Sequence, residues 1–424
     1  MNNVPEFIEL PSAVHPMVID KPAIGIDLGM EYNLAGQYIR KDGKTFVKML
    51  KIGGSQRFGL WSGFAFDGNI IHVGDAAKLH ISIRKENKQA INGAFRVKEL
   101  VGAQYDQTDQ KSLMFPIIKD SLGRVSFPIK GHQELETVSP EDVNCIFITA
   151  ILQTLDQHLG TINPHVVITQ ADHISTVDAT LLYGVLKLRS TDIDRMIKDS
   201  QAAILAYGVT VENHSYLVFN YSHMECFCTL VINGKPVSSV RNKASGVVLD
   251  AIQKLPKKQA TENLEKIKKT LISMFEIVFD KYKKEIDGII LAGDCQDRPI
   301  IKEVLKKVSK NTVVYDEIPP PFVFVVGATV FAAKRLQLEM QVDRPLNGII
   351  QQMMNLNQEM GIHRNPLETL SAPPTYESIV SMNSVELPPP WSPSGPSDSP
   401  SSSSRRELVN EREVVNKEIE IFRF

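Results

Sequence analysis

The sequence predicts an α/β protein of two lobes in tandem, followed by a disordered tail. Three observations carry this. Short apolar runs that read as buried strands alternate with amphipathic helical stretches; the alternation occurs twice; and a proline- and serine-rich segment follows it. With 424 residues, 43% of them hydrophobic and 23% charged, the chain can bury a large core.

Residues 1–22 form a proline-bearing arm. AIGIDLG from Ala23 and YNLAGQYI, ending at Ile39, read as two strands joined by a tight turn, and further strands are expected at Lys44 to Leu50, Gly63 to Phe66 and Ile70 to Val73. Ser139 reads as the N-cap and Pro140 as the first residue of a helix whose apolar positions recur at helical spacing: Val143, Phe147, Ala150, Ile151, Leu155 and Leu159. HVVITQA is a buried strand, and helical text follows from Ser175 to Leu188. YLVFNY and FCTLVI make a hairpin, a long helix carries Leu264, Ile267, Leu271, Phe275, Val278 and Tyr282 on one face, and IDGIILAG and RPIIKEVLKKV supply a last strand and helix. The first lobe is expected over 23–208, the second over 209–342 and the tail over 343–424. Nine of the chain's 24 prolines fall between Asn365 and Arg406, a composition that cannot offset its ordering entropy by burial.

The 47 basic and 49 acidic side chains leave a formal charge of -2, which argues against nucleic acid or an anionic membrane surface as partner. Four scattered cysteines, Cys145, Cys226, Cys228 and Cys295, do not make a disulfide framework. The first twenty residues read as neither a secretory leader nor a transit helix, and the apolar stretch Phe322 to Ala333 is short of the ~20 residues that span a bilayer. These features fit a cytoplasmic protein, or one shared with the nucleus.

Five phrases in order carry a resemblance: GIDLGMEY from Gly25 to Tyr32, VGDAAK from Val73 to Lys78, FRVKELVG from Phe95 to Gly102, SQAAILAYGV from Ser200 to Val209, and IILAGDCQDRPIIKEVL from Ile289 to Leu305. Together they resemble the nucleotide-binding domain of the heat-shock-70 chaperone family. The resemblance implies a two-lobed actin-like ATPase fold of duplicated ribonuclease-H-like lobes, the second reduced, with a final helix returning to the first lobe. It also implies a cleft for ATP or ADP with magnesium. No stretch resembles the family's peptide-binding half.

The resemblance assigns Asp27 to magnesium through water, Lys98 to the transferred phosphate, and Gly29, Tyr32 and Gly293 to the nucleotide. Asp199 stands where the family has a water-positioning glutamate, so a residual catalytic role and a plain surface acid both stay open. Lys98 also has a bland reading, a solvated charge on a helix. Several departures weaken the site. Met30 and Glu31 replace two threonines, and the family's triple-glycine second phosphate loop becomes NYSHMECF from Asn220 to Phe227. That change puts side chains at Ser222, His223 and Met224 and removes two flanking acids. Asp294 and Asp297 replace a glycine and an arginine of the adenosine motif. Cys226 and Cys228, two apart on a strand, read as buried apolar residues rather than metal ligands, and His223 with Glu225 makes a weak acid-base couple.

The expected function is a degenerate pseudo-ATPase serving as a chaperone-related regulatory or interaction module, with chaperones or co-chaperones as partners. One alternative is a weakly active ATPase. Another is an adaptor whose PPTY segment, through Pro373, Pro374 and Tyr376, docks in the groove of a WW-domain protein.

Overall fold

The computed structural model describes residues 4–54, 57–68, 70–110, 113–130, 135–160, 164–175, 193–221, 226–242, 286–293, 302–305 and 312–359, together with Asp178, Leu182, Tyr183 and isolated helical residues between 262 and 277. Residues up to Met340 form one compact unit and those from Gln341 a second.

The first unit is organised by two sheets. The strands of the first are β1 (Phe7–Glu9), β2 (Ala23–Asp27), β3 (Tyr32–Lys41), β4 (Lys44–Met49) and β5 (Gly59–Trp61). A side layer follows, made of β6 (Gly63–Phe66), β7 (Ile71–Val73), helix α1 (Gly74–Glu86) and β8 (Gly93–Phe95), then the ribbon β9 (Ile118–Lys119), β10 (Val125–Lys130) and β11 (Leu135–Val138). Helix α2 (Pro140–Leu159) leads to β12 (His165–Gln170) and β13 (Ile193–Lys198), which complete the first sheet in the order β1-β4-β3-β2-β12-β13 with β5 on β3. Helix α3 (Asp199–Tyr207) connects to the second sheet, which is built from β14 (Ser215–Tyr221), β15 (Cys226–Ile232), β16 (Lys235–Asn242), β17 (Gly288–Ala292) and β18 (Val313–Tyr315) in the order β16-β15-β14-β17-β18. Helix α4 (Val323–Glu359) ends the described chain.

The local chemistry of these elements is legible. Ser139 caps α2 as expected, its hydroxyl accepting from the Asp142 N–H at 3.1 Å, and Pro140 occupies the first turn, where its missing donor costs nothing. The strands β2 and β17 are buried at every residue, as sheets covered on both faces require.

Three features depart from the sequence reading. The N-terminal arm is part of the fold: β1 pairs antiparallel with β4, and Leu10, Val14 and Met17 join the core. The last helix runs to Glu359, past the boundary drawn at 342, and continues through Pro345 and Gly348, two residues that ordinarily break a helix. Finally, the stretch Pro320–Gln341, 22 residues, is long and apolar enough to span a bilayer once the residues beyond Ala333 are counted. Within this fold 67% of its apolar 18-residue window is buried, as in a core helix.

Helix α4 is seated by bare backbone. A Cβ on Gly25 of β2 would lie 2.3 Å from the Thr329 amide nitrogen, and one on Gly327 of α4 would lie 1.8 Å from the Ala202 carbonyl of α3. The Thr329 hydroxyl donates to the Gly36 carbonyl of β3 at 3.1 Å or to its own Val325 carbonyl at 2.7 Å. The helix therefore touches the first sheet on one side and the connecting helix on the other.

Candidate cleft at the strand ends

Parallel strands place their carboxyl ends on one edge, and ligand sites of open α/β sheets form there. Here β2, β12 and β13 run parallel, so Asp27, the Ala171–Asp172 step and Asp199 emerge side by side. In the second sheet β14 and β17 are also parallel and end at Tyr221 and Ala292, bringing Asn220 and Gly293 to the same place. These ends line a cleft open to solvent, with further walls from Tyr32, Phe227 and Phe324.

The buried charged groups of the cleft, Asp27, Lys98 and Asp199, each have a structural support. Asp27 is 5% exposed and accepts from the Thr169 hydroxyl at 2.8 Å, across the β2–β12 pair. Lys98 sits on the one-turn helix Val97–Leu100. Arg96, at φ 60° and tied to the Ser62 carbonyl at 2.8 Å, turns the chain into that helix. Val97 and Leu100 pack with Val143 and Phe147 of α2, while the Lys98 ammonium meets Asp199. It is 2.9 and 3.2 Å from the two Asp199 oxygens and 3.8 Å from Asp27 Oδ1. Asp199 is 4% exposed and opens α3. Burial alone pulls the Lys98 ammonium down, but the charges of Asp199 and Asp27 outweigh it and hold the group above its ordinary value. The surface-acid reading of Asp199 and the solvated-charge reading of Lys98 are thus both overturned, since the two form a buried ion pair.

Behind this pair lies a group the sequence reading missed. The Asp172 carboxylate accepts from the Ser200 hydroxyl at 2.6 Å and lies 3.3 Å from the Thr229 hydroxyl of β15, so it joins the first sheet to the second. Lys198 directs its ammonium to the backbone carbonyls of Ile174 and Asp172, and burial pulls that ammonium down. Burial, followed by the Asp199 charge, raises Asp172 to about 6 against the opposing Ser200 hydrogen bonds. The signal for it was present in HVVITQAD: an acid just beyond a buried strand, the same grammar as AIGID.

A carboxyl raised in the fold is a cost incurred as pH rises. The native state holds its proton more tightly than the unfolded chain, so stability falls between about pH 4 and the folded value near 6. Asp172→Asn is therefore expected to stabilise the protein by on the order of 1–3 kcal/mol at pH 7.5, with the gain vanishing below about pH 4. Urea midpoints of both proteins across that range measure it; a gain independent of pH would remove burial of charge as the cause.

The remaining predicted residues take mixed roles. Gly29 lines the cleft, but a Cβ there would meet the Tyr32 carbonyl at 2.1 Å, so the β2–β3 turn itself demands glycine. Tyr32 lines the cleft, and Lys78 lies 3.4 Å from its hydroxyl and 5.7 Å from its ring centre. Gly293, at φ 96°, packs where a Cβ would meet the Tyr221 carbonyl at 2.2 Å. Met30, Glu31, Asn220 and Phe227 line the cleft as the resemblance implies, and Phe227 stacks parallel on His173 with ring centres 5.6 Å apart. Cys226 and Cys228 are buried, and burial keeps the Cys228 thiol well above its ordinary value. Ser222, His223, Met224, Glu225, Asp294, Asp297 and the tail residues Pro373, Pro374 and Tyr376 lie outside the described residues.

The family model described as Hsp70 protein matches residues 23–227, from β2 through the start of β15. Over these residues the chain is similar to a divergent Hsp70 nucleotide-binding domain. Heat shock 70 kDa protein 2 of Paracoccidioides lutzii is 29% identical over 199 residues, which is 44% of this chain and 28% of that protein. A heat shock 70 kDa protein of Emericella nidulans is 27% identical over 199 residues, with the same coverage. The matched part thus spans little more than a quarter of these relatives' length. The mixed α/β fold with its several sheets is of the actin-like ATPase type seen in sequence.

The Hsp70 family typically binds ATP or ADP with magnesium, and the described lining fits that group poorly. Phosphates need amide donors and free cations. The lining offers one lysine, already held by two carboxylates, together with Glu31 in the β2–β3 turn and the aromatic ring of Phe227.

Proposed function

We propose that this chain is a pseudo-ATPase of the Hsp70 type, whose actin-like fold serves as an interaction module for chaperones or co-chaperones in the cytoplasm. The observation that supports it is the locked Lys98. Its ammonium is buried against Asp199 and Asp27, so a phosphate would have to displace a carboxylate from it inside a site that holds two more acids. The relation of residues 23–227 to Hsp70 proteins motivates the choice of partners.

Isothermal titration with magnesium ATP tests the reading. The expected result is no binding tighter than about millimolar, a free energy near -4 kcal/mol. Micromolar affinity that disappears in Asp27→Asn would overturn it.

A second reading, a slow ATPase, draws on the convergence of Asp27, Lys98 and Asp199 in one cleft. It requires single-turnover hydrolysis above the buffer rate, and loss of that rate in Lys98→Ala.

A further inference from the structure

We propose that the cleft is a binding site for a small organic ammonium ion, an amine or quaternary ammonium with an apolar body. This goes beyond the pseudo-ATPase reading, which concerns what the cleft fails to hold.

The charge comes from separate elements of the fold. Asp27 and Glu31 flank the β2–β3 turn, Asp172 follows β12 and Asp199 opens α3; against these four carboxylates the described lining sets only the Lys98 ammonium. A cleft of one sign with low-dielectric walls focuses its field and concentrates the opposite charge. Lys198 is not among the lining residues; its ammonium is bound by the backbone carbonyls of Asp172 and Ile174 and offsets part of the Asp172 charge, leaving the excess of acids at the lining. Lys78 lies at the Tyr32 hydroxyl and between the rings of Tyr32 and Trp61. The wall residue Tyr32 thus already meets a cation through its aromatic face.

The walls select the kind of cation. Tyr32, Phe227 and Phe324 contribute rings, Met30 a polarisable thioether, and the parallel His173–Phe227 stack joins the β12 end to β15. Aromatic faces attract an ammonium by roughly 0.5–2 kcal/mol and also cover its hydrocarbon body. A bare divalent ion needs about six oxygen ligands, and rings supply none. Among the described residues, the grouping with metal-ligand spacing lies elsewhere, at His165, Asp194 and Glu339. It sits by the opposite end of β12, where the Arg335 guanidinium is already 3.4 Å from Asp194.

Three isosteric probes test the proposal on the full chain at low salt and pH 7: phenethylammonium, neutral 2-phenylethanol and anionic phenylacetate, titrated by ligand-observed NMR and thermal shift. Phenethylammonium is expected to bind at least about tenfold more tightly than either partner, the fold-change that a single cation-π contact with charge attraction would give. Its advantage should shrink in Glu31→Gln, a half-buried turn residue whose isosteric change leaves the packing intact, and in Phe227→Leu. Equal binding of all three probes, no binding of any, or an ammonium preference unchanged in Glu31→Gln would each overturn it. Magnesium ATP titrated into the same samples keeps the two readings apart. Tight ATP binding sinks the pseudo-ATPase reading, whereas loss of ammonium selectivity sinks only this one.

Discussion

Gly327→Ala is expected to unfold or nearly unfold the protein, with a loss of about 3 kcal/mol or more for the addition of one methyl group. The added carbon would sit 1.8 Å from the Ala202 carbonyl and 2.4 Å from its carbonyl carbon, both backbone atoms that cannot rotate away. Helix α3 cannot retreat, because Ala202, Ala203 and Ala206 are themselves fully buried in the cluster that contains Val323, Val325, Val326 and Val330. Nor can α4 retreat, since Thr329 is held against Gly25 and Gly36 of the first sheet. Helix propensity alone would favour alanine by about 1 kcal/mol, so the sign of the effect separates packing from propensity. Gly348→Ala, placed further along the same helix, serves as the propensity control. Urea unfolding followed by circular dichroism measures both; a stabilised or neutral Gly327→Ala would show that α3 and α4 do not cross at this point.

How much of this was legible depends on where the information resides. The strand ends at Asp27 and the cap at Ser139 were readable because a few adjacent residues determine them: an apolar run ending in an acid, and a hydroxyl followed by proline. The five phrases likewise brought Asp27, Lys98 and Gly293 into one cleft before any geometry was known, whereas Asp199, just ahead of the fourth phrase, was left open between a catalytic role and a surface acid. What failed was relational. Asp172 draws its importance from Ser200, 28 residues on, and from Thr229 in the other sheet, and no window on the sequence joins those positions. Gly29 was read as room for a ligand, whereas the Tyr32 carbonyl three residues later fills that room. The N-terminal arm was read as separate because β1 is only three residues long and its partner β4 lies about 40 residues away. The final helix was drawn too short because composition changes along it before its hydrogen bonding does.

Lys98→Met is the other change with a large expected effect, about 3–5 kcal/mol of destabilisation at pH 7. Methionine fills a similar volume, so most of the loss comes from Asp199 and Asp27, which are 4% and 5% exposed and would be left as buried anions without their shared cation. The pH dependence follows from the same pair. In the native protein the raised Lys98 ammonium contributes stability that is fully present below its ordinary value and is lost only as pH climbs through the folded one, far into alkali. In Lys98→Met the charge balance inverts. The orphaned carboxyls would bind protons more tightly folded than unfolded, so the variant should regain stability as pH falls from 7 toward 5. Adding Asp199→Asn to Lys98→Met should recover at least about half of the loss at pH 7, because it removes the nearer of the two stranded charges. Urea midpoints for the three proteins at pH 5 and 7 decide the matter. A loss under about 1 kcal/mol with no dependence on pH would mean that solvent reaches Lys98 freely, and with it would go the case that a carboxylate must be displaced before phosphate can bind.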